Sequence, residues 1–99
     1  MRVDLSEKAV ADLIAIYDFV AEQASDGIAA RLIDDIEQRC MRLADAPQGG
    51  RSRDDLGPGL RTIAWRRRVT LFYTIQDDLI EVRRVFYAGQ DYEKTLRDR

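Results

Sequence analysis

The sequence predicts an α+β fold, in which an N-terminal helical hairpin packs on a small twisted antiparallel sheet. Apolar residues recur at helical spacing in residues 7–46, and from residue 60 onward they alternate with polar ones or cluster with β-branched and aromatic residues. A segment rich in glycine and proline separates the two regions. Because 99 residues with 45% hydrophobic content supply one core, we expect a single domain over residues 1–99.

Two amphipathic helices account for the first region. Ser6 is suited to cap the first helix, after a short strand at residues 3–5, and Pro47 is expected to end the second. The three-residue break at residues 25–27 predicts an antiparallel hairpin. The apolar stripe of the first helix comprises Val10, Leu13, Ile14, Tyr17, Val20, Ala21 and Ala24. The stripe of the second helix comprises Ile28, Leu32, Ile33, Ile36, Cys40, Leu43 and Ala44.

A loop and a set of strands account for the rest of the chain. The loop, residues 47–59, holds four glycines and both prolines, and Leu56 is its apolar anchor. Loops of this length are often functional. Strands are predicted at residues 60–65, 69–75 and 79–87, and the short turns between them indicate an antiparallel meander.

The last predicted strand alternates between two faces, because successive side chains of a strand point to opposite sides. One face is expected to carry Ile80, Val82, Arg84 and Phe86. The other is expected to carry Leu79, Glu81, Arg83, Val85 and Tyr87. A short helix at residues 91–97 ends the chain and is expected to fray, as terminal segments commonly do.

The composition excludes several classes of chemistry. There is no histidine, which excludes Ser-His-Asp and Cys-His catalysis and histidine-ligated metal sites. The single cysteine, Cys40, lies on an apolar stripe and excludes an internal disulfide, which fits a reducing cytoplasm. No apolar run reaches the ~18 residues that a membrane span needs. We therefore expect a cytoplasmic protein with no metal, no cofactor and no membrane partner.

The net charge of −2 conceals an uneven distribution. Residues 1–50 contain five basic and ten acidic residues, whereas residues 51–99 contain eleven basic and eight acidic ones. Fourteen of the sixteen basic residues are arginine, whose planar guanidinium suits carboxylates and phosphates. Two interpretations stay open: the arginines form ion pairs on a solvated face, or they form a basic surface that meets an acidic protein or nucleic acid.

The loop and the strands after it carry a recognisable motif. The motif reads Pro47-x-x-Gly50-Arg51-x-Arg53-x-x-Leu56-x-Pro58-Gly59-Leu60-Arg61. Further matching residues are Leu71-Phe72-Tyr73 and Arg84-Val85-Phe86-Tyr87-x-Gly89-x-Asp91. Together with the opening Leu5-Ser6 and the two acidic helices, these residues resemble the ParE-type toxins of bacterial toxin–antitoxin modules, within the RelE/ParE superfamily.

The resemblance implies a fold, a partner and a target. The fold is the RelE/ParE-like helical hairpin on an antiparallel sheet. The partner is a ParD-like antitoxin with a ribbon-helix-helix domain. The tail of this antitoxin wraps and neutralises the toxin, and the toxin would reach DNA only through the antitoxin. The target of ParE toxins is DNA gyrase, with growth arrest and plasmid stabilisation as the outcome, whereas RelE toxins cut mRNA in the ribosome.

Several residues bear on the choice between these two targets. RelE-type nucleases carry arginine shortly before the aromatic residue of the middle strand and basic residues after the last strand. Here the corresponding residues are Thr70 and Leu71, and then Gln90 and Asp91. Positive charge directed at the phosphate is what such catalysis requires. We therefore predict a non-enzymatic toxin that inhibits gyrase by protein contact, with a ribosome-dependent mRNA interferase and an inactive corepressor as the alternatives.

The resemblance also suggests where the antitoxin binds, across the hairpin and the sheet edge. The predicted polar contacts are Arg61, Arg68, Arg83 and Arg84, and the predicted apolar contacts are Tyr17, Phe86 and Tyr87. A sheet face bearing these arginines and a tyrosine is also what RNA phosphates would require, which keeps the nuclease alternative open. No residue is assigned to the target, although the exposed segment 90–99 is a candidate.

Overall fold

Two helices pack on one face of a five-stranded sheet in the computed structural model, which describes residues 1–98. The order of strands across the sheet is β1-β5-β4-β3-β2. The elements are β1 (Arg2–Leu5), α1 (Glu7–Gln23), α2 (Asp26–Met41), β2 (Arg51–Ser52), β3 (Arg61–Trp65), β4 (Val69–Gln76), β5 (Leu79–Tyr87) and α3 (Tyr92–Arg97). The α+β fold and the meander of β3, β4 and β5 are confirmed. Arg99, the end of the candidate segment 90–99, lies outside the described residues.

One strand pair departs from the predicted antiparallel sheet. β1 runs parallel to β5, with Val3 opposite Ile80 and Leu5 opposite Val82, so the sheet is mixed. The other pairs are antiparallel. The sequence of a four-residue strand does not reveal its direction, because either direction presents the same alternating faces to the core.

The helical hairpin and its Ser6 cap are confirmed, and Ser25, predicted to lie in a break at residues 25–27, caps α2, which begins at Asp26. The hydroxyl of Ser6 accepts the N–H of Ala9, and that of Ser25 accepts the N–H of Ile28, both at 3.1 Å. The predicted end at Pro47 is wrong, because α2 stops at Met41 and the chain continues in short 3-10 turns. These turns carry the chain round toward the sheet.

The buried face of α1 is rotated from the predicted stripe. Ala9 and Ile16 are buried with two members of the predicted stripe, whereas Val10 and Ile14 are exposed. Apolar residues cover most of the circumference of α1, so periodicity alone does not single out one face. Ala9 adds no bulk, which allows the helix to lie close to the sheet. Two apolar side chains are thereby left in solvent.

The sheet has a second apolar cluster on its other face. Leu56 is buried there, as predicted, and so is Leu96 of α3. The cluster comprises Leu56, Leu60, Phe72, Phe86 and Leu96, with Tyr92 at its edge. The predicted helix at residues 91–97 is therefore present, capped by Asp91 and anchored rather than frayed. The loop and α3 together cover the face that the hairpin leaves open.

A β-bulge interrupts the pairing of β4 with β5. Phe72 lies opposite Arg84, and the next residue, Tyr73, lies opposite Val82. Arg83 thus has no partner on β4, which is the two-against-one arrangement of a bulge. A bulge cannot be inferred from hydrophobic alternation, because alternation continues on either side of it.

The bulge makes the predicted faces of β5 wrong. Ile80 and Val82 pack in the cluster beneath the hairpin, where Val85 joins them. Phe86, predicted to share their face, lies instead in the second cluster. The guanidinium of Arg84 lies 4.9 Å from the centre of the Phe86 ring. Because of the one extra residue, every later residue of β5 lies on the face opposite to the one predicted for it.

Tyr73 fastens the start of the loop to the sheet. Its hydroxyl donates to the carbonyl oxygen of Pro47 at 2.8 Å and accepts the N–H of Gly50 at 2.9 Å. Arg61 donates to the carbonyl oxygen of Gly50 at 2.8 Å. A Cβ on residue 50 would lie 2.5 Å from the Tyr73 hydroxyl, so only glycine fits. These hydrogen bonds hold the start of the loop against the sheet. We name the four residues that make them, all from the family motif or its continuation, the clamp: Pro47, Gly50, Arg61 and Tyr73.

We expect Tyr73→Phe to lower the free energy of unfolding by about 1–3 kcal/mol, because it leaves the N–H of Gly50 buried without an acceptor. Urea unfolding followed by circular dichroism measures the change. Tyr92→Phe is the matched control, since the Tyr92 hydroxyl makes no hydrogen bond within residues 1–98 and should leave the midpoint unchanged. Equal midpoints for the two variants would contradict the role of the clamp.

Burial raises the pKa of the Cys40 thiol from its ordinary value near 9 to about 12. The unfolded chain then ionises at a lower pH than the folded one, so stability present below pH 9 is lost as the pH rises toward 12. Urea unfolding of the native chain and of Cys40→Ala, measured across this range, isolates the effect. The difference between their stabilities should shrink with rising pH, and a constant difference would contradict the burial of the thiol.

Candidate partner-binding site

The seven residues predicted to contact an antitoxin do not share one surface. Tyr17 lies on the outer side of the hairpin, whereas Tyr87 lies between α1 and β5. Arg83 and Arg84 line a groove that α1, the loop and α3 enclose. Phe86 is only 3% exposed and packs in the second cluster. The structure therefore brings together parts of the predicted set and separates others.

The cleft between α1 and the end of β5, here named the α1–β5 groove, is a mainly apolar depression lined by Tyr87. Its volume is about 190 Å³. Phe19 is 52% exposed, and its ring meets that of Tyr87 edge to face with 6.3 Å between centres. The lining residues are Asp12, Ala15, Ile16, Phe19, Val85, Tyr87, Ala88 and Gln90. An exposed aromatic wall of this kind is typical of binding surfaces.

One edge of β5 opens into this groove. β1 pairs with β5 only as far as Val82, so on the β1 side no described strand borders residues 83–87 of β5. The N–H of Val85 donates to Asp12 Oδ2 at 2.8 Å, and the N–H of Tyr87 donates to Gln90 Oε1 at 2.7 Å. Two side chains thus take the place of a neighbouring strand, which protects the edge from unintended pairing.

Asp12 also binds Arg84 in a bidentate ion pair. The Nε and Nη2 atoms of Arg84 donate to the two carboxylate oxygens of Asp12 at 2.8 and 2.9 Å. The two side chains are 20% and 14% exposed, respectively. The hydrogen bonds with Asp12 outweigh the opposing effect of burial and raise the pKa of Arg84. The positive charge of Arg84 is thereby compensated within the chain.

The remaining predicted arginines differ in what they contact. Arg61 is committed to the clamp described above, and Arg83 forms an ion pair with Glu81 at 3.2 Å. Arg68 is exposed, and its side chain has no ion-pair partner within residues 1–98. Its carbonyl oxygen accepts the N–H of Ala88 at 2.8 Å, so the β3–β4 turn lies beside the end of the α1–β5 groove. Ion pairing within the chain thus accounts for Arg83 and Arg84.

Arg83 and Tyr87, two residues of the face that could meet RNA phosphates, do not converge. Tyr87 lines the α1–β5 groove, whereas Arg83 lines the separate groove bounded by the loop and α3. Arg83 is paired with Glu81, and Asp91 caps α3 through the N–H of Lys94. Phosphoryl chemistry requires cationic groups directed at one phosphate, and Arg83 and Tyr87 line different grooves.

A further arginine of the motif fixes α3 to the loop. Arg53 donates to Asp55 at 3.0 Å and to Glu93 at 3.2 Å. The hydrogen bonds with Asp55 raise the pKa of Arg53, and Arg53 in turn holds the pKa of Asp55 below its usual value. Arg97 adds a second contact to Asp55 at 3.5 Å. These ion pairs connect the loop to α3 next to the second apolar cluster.

Among the polar and aromatic residues that line the α1–β5 groove, Asp12, Phe19 and Gln90 were not predicted as site residues. Phe19 could have been noticed, because a large aromatic residue lies off the apolar stripe of α1. The roles of Asp12 and Gln90 depend on which end of β5 the helix crosses, and no local pattern encodes that. Over residues 1–98 the structure contains no group of acidic or thiol side chains suited to a metal, and no helix there has the length and hydrophobicity to span a bilayer.

Comparison with known proteins assigns the chain to a family. Residues 3–92 match the model of the ParE toxin of the type II toxin–antitoxin system parDE. The chain belongs to the ParE toxin family. Toxin ParE3 of Caulobacter vibrioides is 31% identical in an alignment 98 residues long, which covers 95% of this chain and 98% of that protein. The chain is thus a ParE-type toxin of the RelE/ParE superfamily, as its motif indicated.

Solved structures agree with the ParE fold. A chain of the chromosomal ParDE system from P. aeruginosa superposes with a TM-score of 0.78 at 26% identity, covering 90% of this chain and 97% of the other. The isolated E. coli RelE toxin superposes with a TM-score of 0.57 at 17% identity, covering 98% and 96%. The second similarity concerns the fold alone, which ParE and RelE toxins share.

We expect Asp12→Ala to lower the free energy of unfolding by about 1–3 kcal/mol, because Arg84 and the N–H of Val85 both lose their acceptor. Thermal and urea unfolding measure the loss. Asp18→Ala, an exposed aspartate on the same helix, is the matched control and should change stability little. The expectation fails if the two variants are equally stable.

Proposed function

We propose that this ParE toxin inhibits DNA gyrase by protein–protein contact and that a ParD-like antitoxin neutralises it from the α1–β5 groove. The observation that carries the second part is the combination of an exposed aromatic wall with two β5 amides held only by side chains. An antitoxin tail that orders there gains apolar burial and main-chain hydrogen bonds together. The ParDE system to which the P. aeruginosa relative belongs supports a ParD-like partner.

The predicted contacts contribute in different ways in this proposal. Tyr87 and Arg68 meet the antitoxin directly, because one forms the groove wall and the other lies at its end. Arg83 meets the antitoxin only where its tail reaches the separate groove bounded by the loop and α3. Arg61, Arg84 and Phe86 support this surface from within the fold, whereas Tyr17 lies on the opposite side of α1, outside the groove. An antitoxin segment with apolar anchors and acidic flanks suits this distribution.

Inhibition of gyrase is favoured over cleavage of mRNA by the arrangement of the polar residues. Arg84 is compensated by Asp12, Arg83 is paired with Glu81, and Tyr87 opens into a different groove. A toxin that acts by contact needs no such convergence, and it needs no cofactor. DNA would be reached only through the ribbon-helix-helix domain of the antitoxin.

Two assays with purified protein distinguish these functions. Added to a gyrase supercoiling reaction that starts from relaxed plasmid, the protein should leave the plasmid relaxed or linearised. Added to translating ribosomes, it should leave mRNA intact. Codon-site cleavage of mRNA with unaffected gyrase would overturn the gyrase proposal in favour of the interferase. Induction without growth arrest, and no effect in either assay, would overturn it in favour of a corepressor.

We expect Phe19→Asp to weaken binding of the antitoxin about tenfold or more, because it places a charge in the apolar wall of the groove. Isothermal titration calorimetry with the purified antitoxin measures the dissociation constant. Ile14→Asp is the matched control, since Ile14 is an equally exposed apolar residue on the opposite side of α1. If Ile14→Asp weakens binding as much as Phe19→Asp, the antitoxin does not select this groove.

A further inference from the structure

A second exposed apolar surface lies on the other side of α1. The residues that line it are Leu5, Val10, Leu13, Ile14, Tyr17, Ile33 and Glu37, and we name this surface the hairpin patch. It forms a shallow groove of about 320 Å³ between α1 and α2. Val10 is 45% exposed and Ile14 is 59% exposed. Adjacent exposed aliphatic side chains on one helix face mark a contact surface.

The surroundings of the hairpin patch are acidic. Glu37 is the one charged side chain among its described lining residues. The hydroxyl of Tyr17 donates to Asp26 Oδ1 at 3.4 Å, and partial burial together with the negative charges of Asp26 and Asp18 raises the pKa of Tyr17. Glu7 lies one helical turn before Val10 and is exposed. Lys8 lines a different groove, on the far side of the helix.

We propose that the hairpin patch binds a cationic amphipathic helix of a partner protein. The apolar groove between two helices suits the apolar stripe of a third helix, which would make i, i+3 and i+4 contacts with it. The acidic residues around the patch are Glu7, Asp18, Asp26 and Glu37, and we name them the acidic rim. This rim suits lysine and arginine on the flanks of that stripe. The proposal is independent of gyrase inhibition and concerns a surface that the antitoxin groove does not include.

The same acidic rim argues against other occupants. Nucleic acid and anionic lipid headgroups are repelled by Glu37, Asp18 and Asp26. In a symmetric pair of this chain, each acidic rim would face its own copy across the two-fold axis, which costs electrostatic energy. A cationic partner is the remaining chemistry that gains from both the apolar floor and the charged rim.

The hairpin patch and the α1–β5 groove can be occupied together. At 100° per residue, Val10, Ile14 and Tyr17 fall on one side of α1, and Asp12 and Phe19 fall about 180° away from them. The core face of the helix lies between the two sides. A partner on the patch therefore does not need to displace an antitoxin from the groove.

A pair of designed peptides tests the proposal. Both are helices of about five turns with the same leucine stripe, and they carry either lysine or glutamate on the flanks. Fluorescence anisotropy with the full chain should give saturable one-to-one binding of the lysine peptide, weakened by added salt. Ile14→Asp should weaken it about tenfold or more, and Glu37→Gln should weaken it less. Phe19→Asp should leave it unchanged.

Several results would overturn the proposal. These are equal binding of both peptides, no saturable binding, or equal losses for Ile14→Asp and Phe19→Asp. Concentration-dependent dimerisation that Ile14→Asp abolishes would assign the patch to a second copy instead. Binding to vesicles of phosphatidylserine and phosphatidylcholine that Ile14→Asp abolishes would assign it to a membrane. Neither gyrase nor the antitoxin is present, so failure here leaves the proposed function standing.

Discussion

The carboxylate of Asp12 joins the helical hairpin to the open part of the sheet. One of its oxygens accepts both Arg84 Nε and the N–H of Val85, and the other accepts Arg84 Nη2. The bulge at Arg83 is what turns Arg84 out of the cluster beneath the hairpin, so the ion pair and the bulge depend on each other. Because this pair holds α1 against β5 just beyond the end of β1, it also sets the width of the α1–β5 groove.

Much of the family motif serves the fold rather than a partner. Pro47 and Gly50 meet at the Tyr73 hydroxyl, Arg61 donates to the carbonyl oxygen of Gly50, and Arg53 connects the loop to α3. Each makes hydrogen bonds that hold an otherwise irregular segment against the sheet. Such segments need specific partners because their backbone groups are not paired in a ladder. A motif that identifies the family thus says little about which of its residues a partner touches.

The sequence predicted the parts of the fold that depend on local patterns. Ser6 as a cap and the strand ending at Tyr87 follow from capping chemistry and from β-branched and aromatic content. The face of α1 that carries Ile14 and the side of β5 that carries Phe86 could not be obtained in this way. Both depend on long-range packing: one on how closely α1 approaches the sheet, the other on the bulge. Both differences affect the predicted antitoxin-binding surface, because that prediction included Phe86 and omitted Phe19.

The uneven charge distribution along the sequence corresponds to different parts of the fold. The acidic first half forms the hairpin, and the arginine-rich second half forms the sheet and its turns. The two faces of α1 therefore differ in electrostatic character although both are apolar: Arg68 lies near the end of one groove, and Glu37 lies in the other. Apolar burial supplies affinity at either surface without selecting a partner, whereas like charges exclude the wrong one. The two proposed partners, an acidic antitoxin tail and a basic helix, would thus be distinguished by the charges beside each groove and not by its apolar lining.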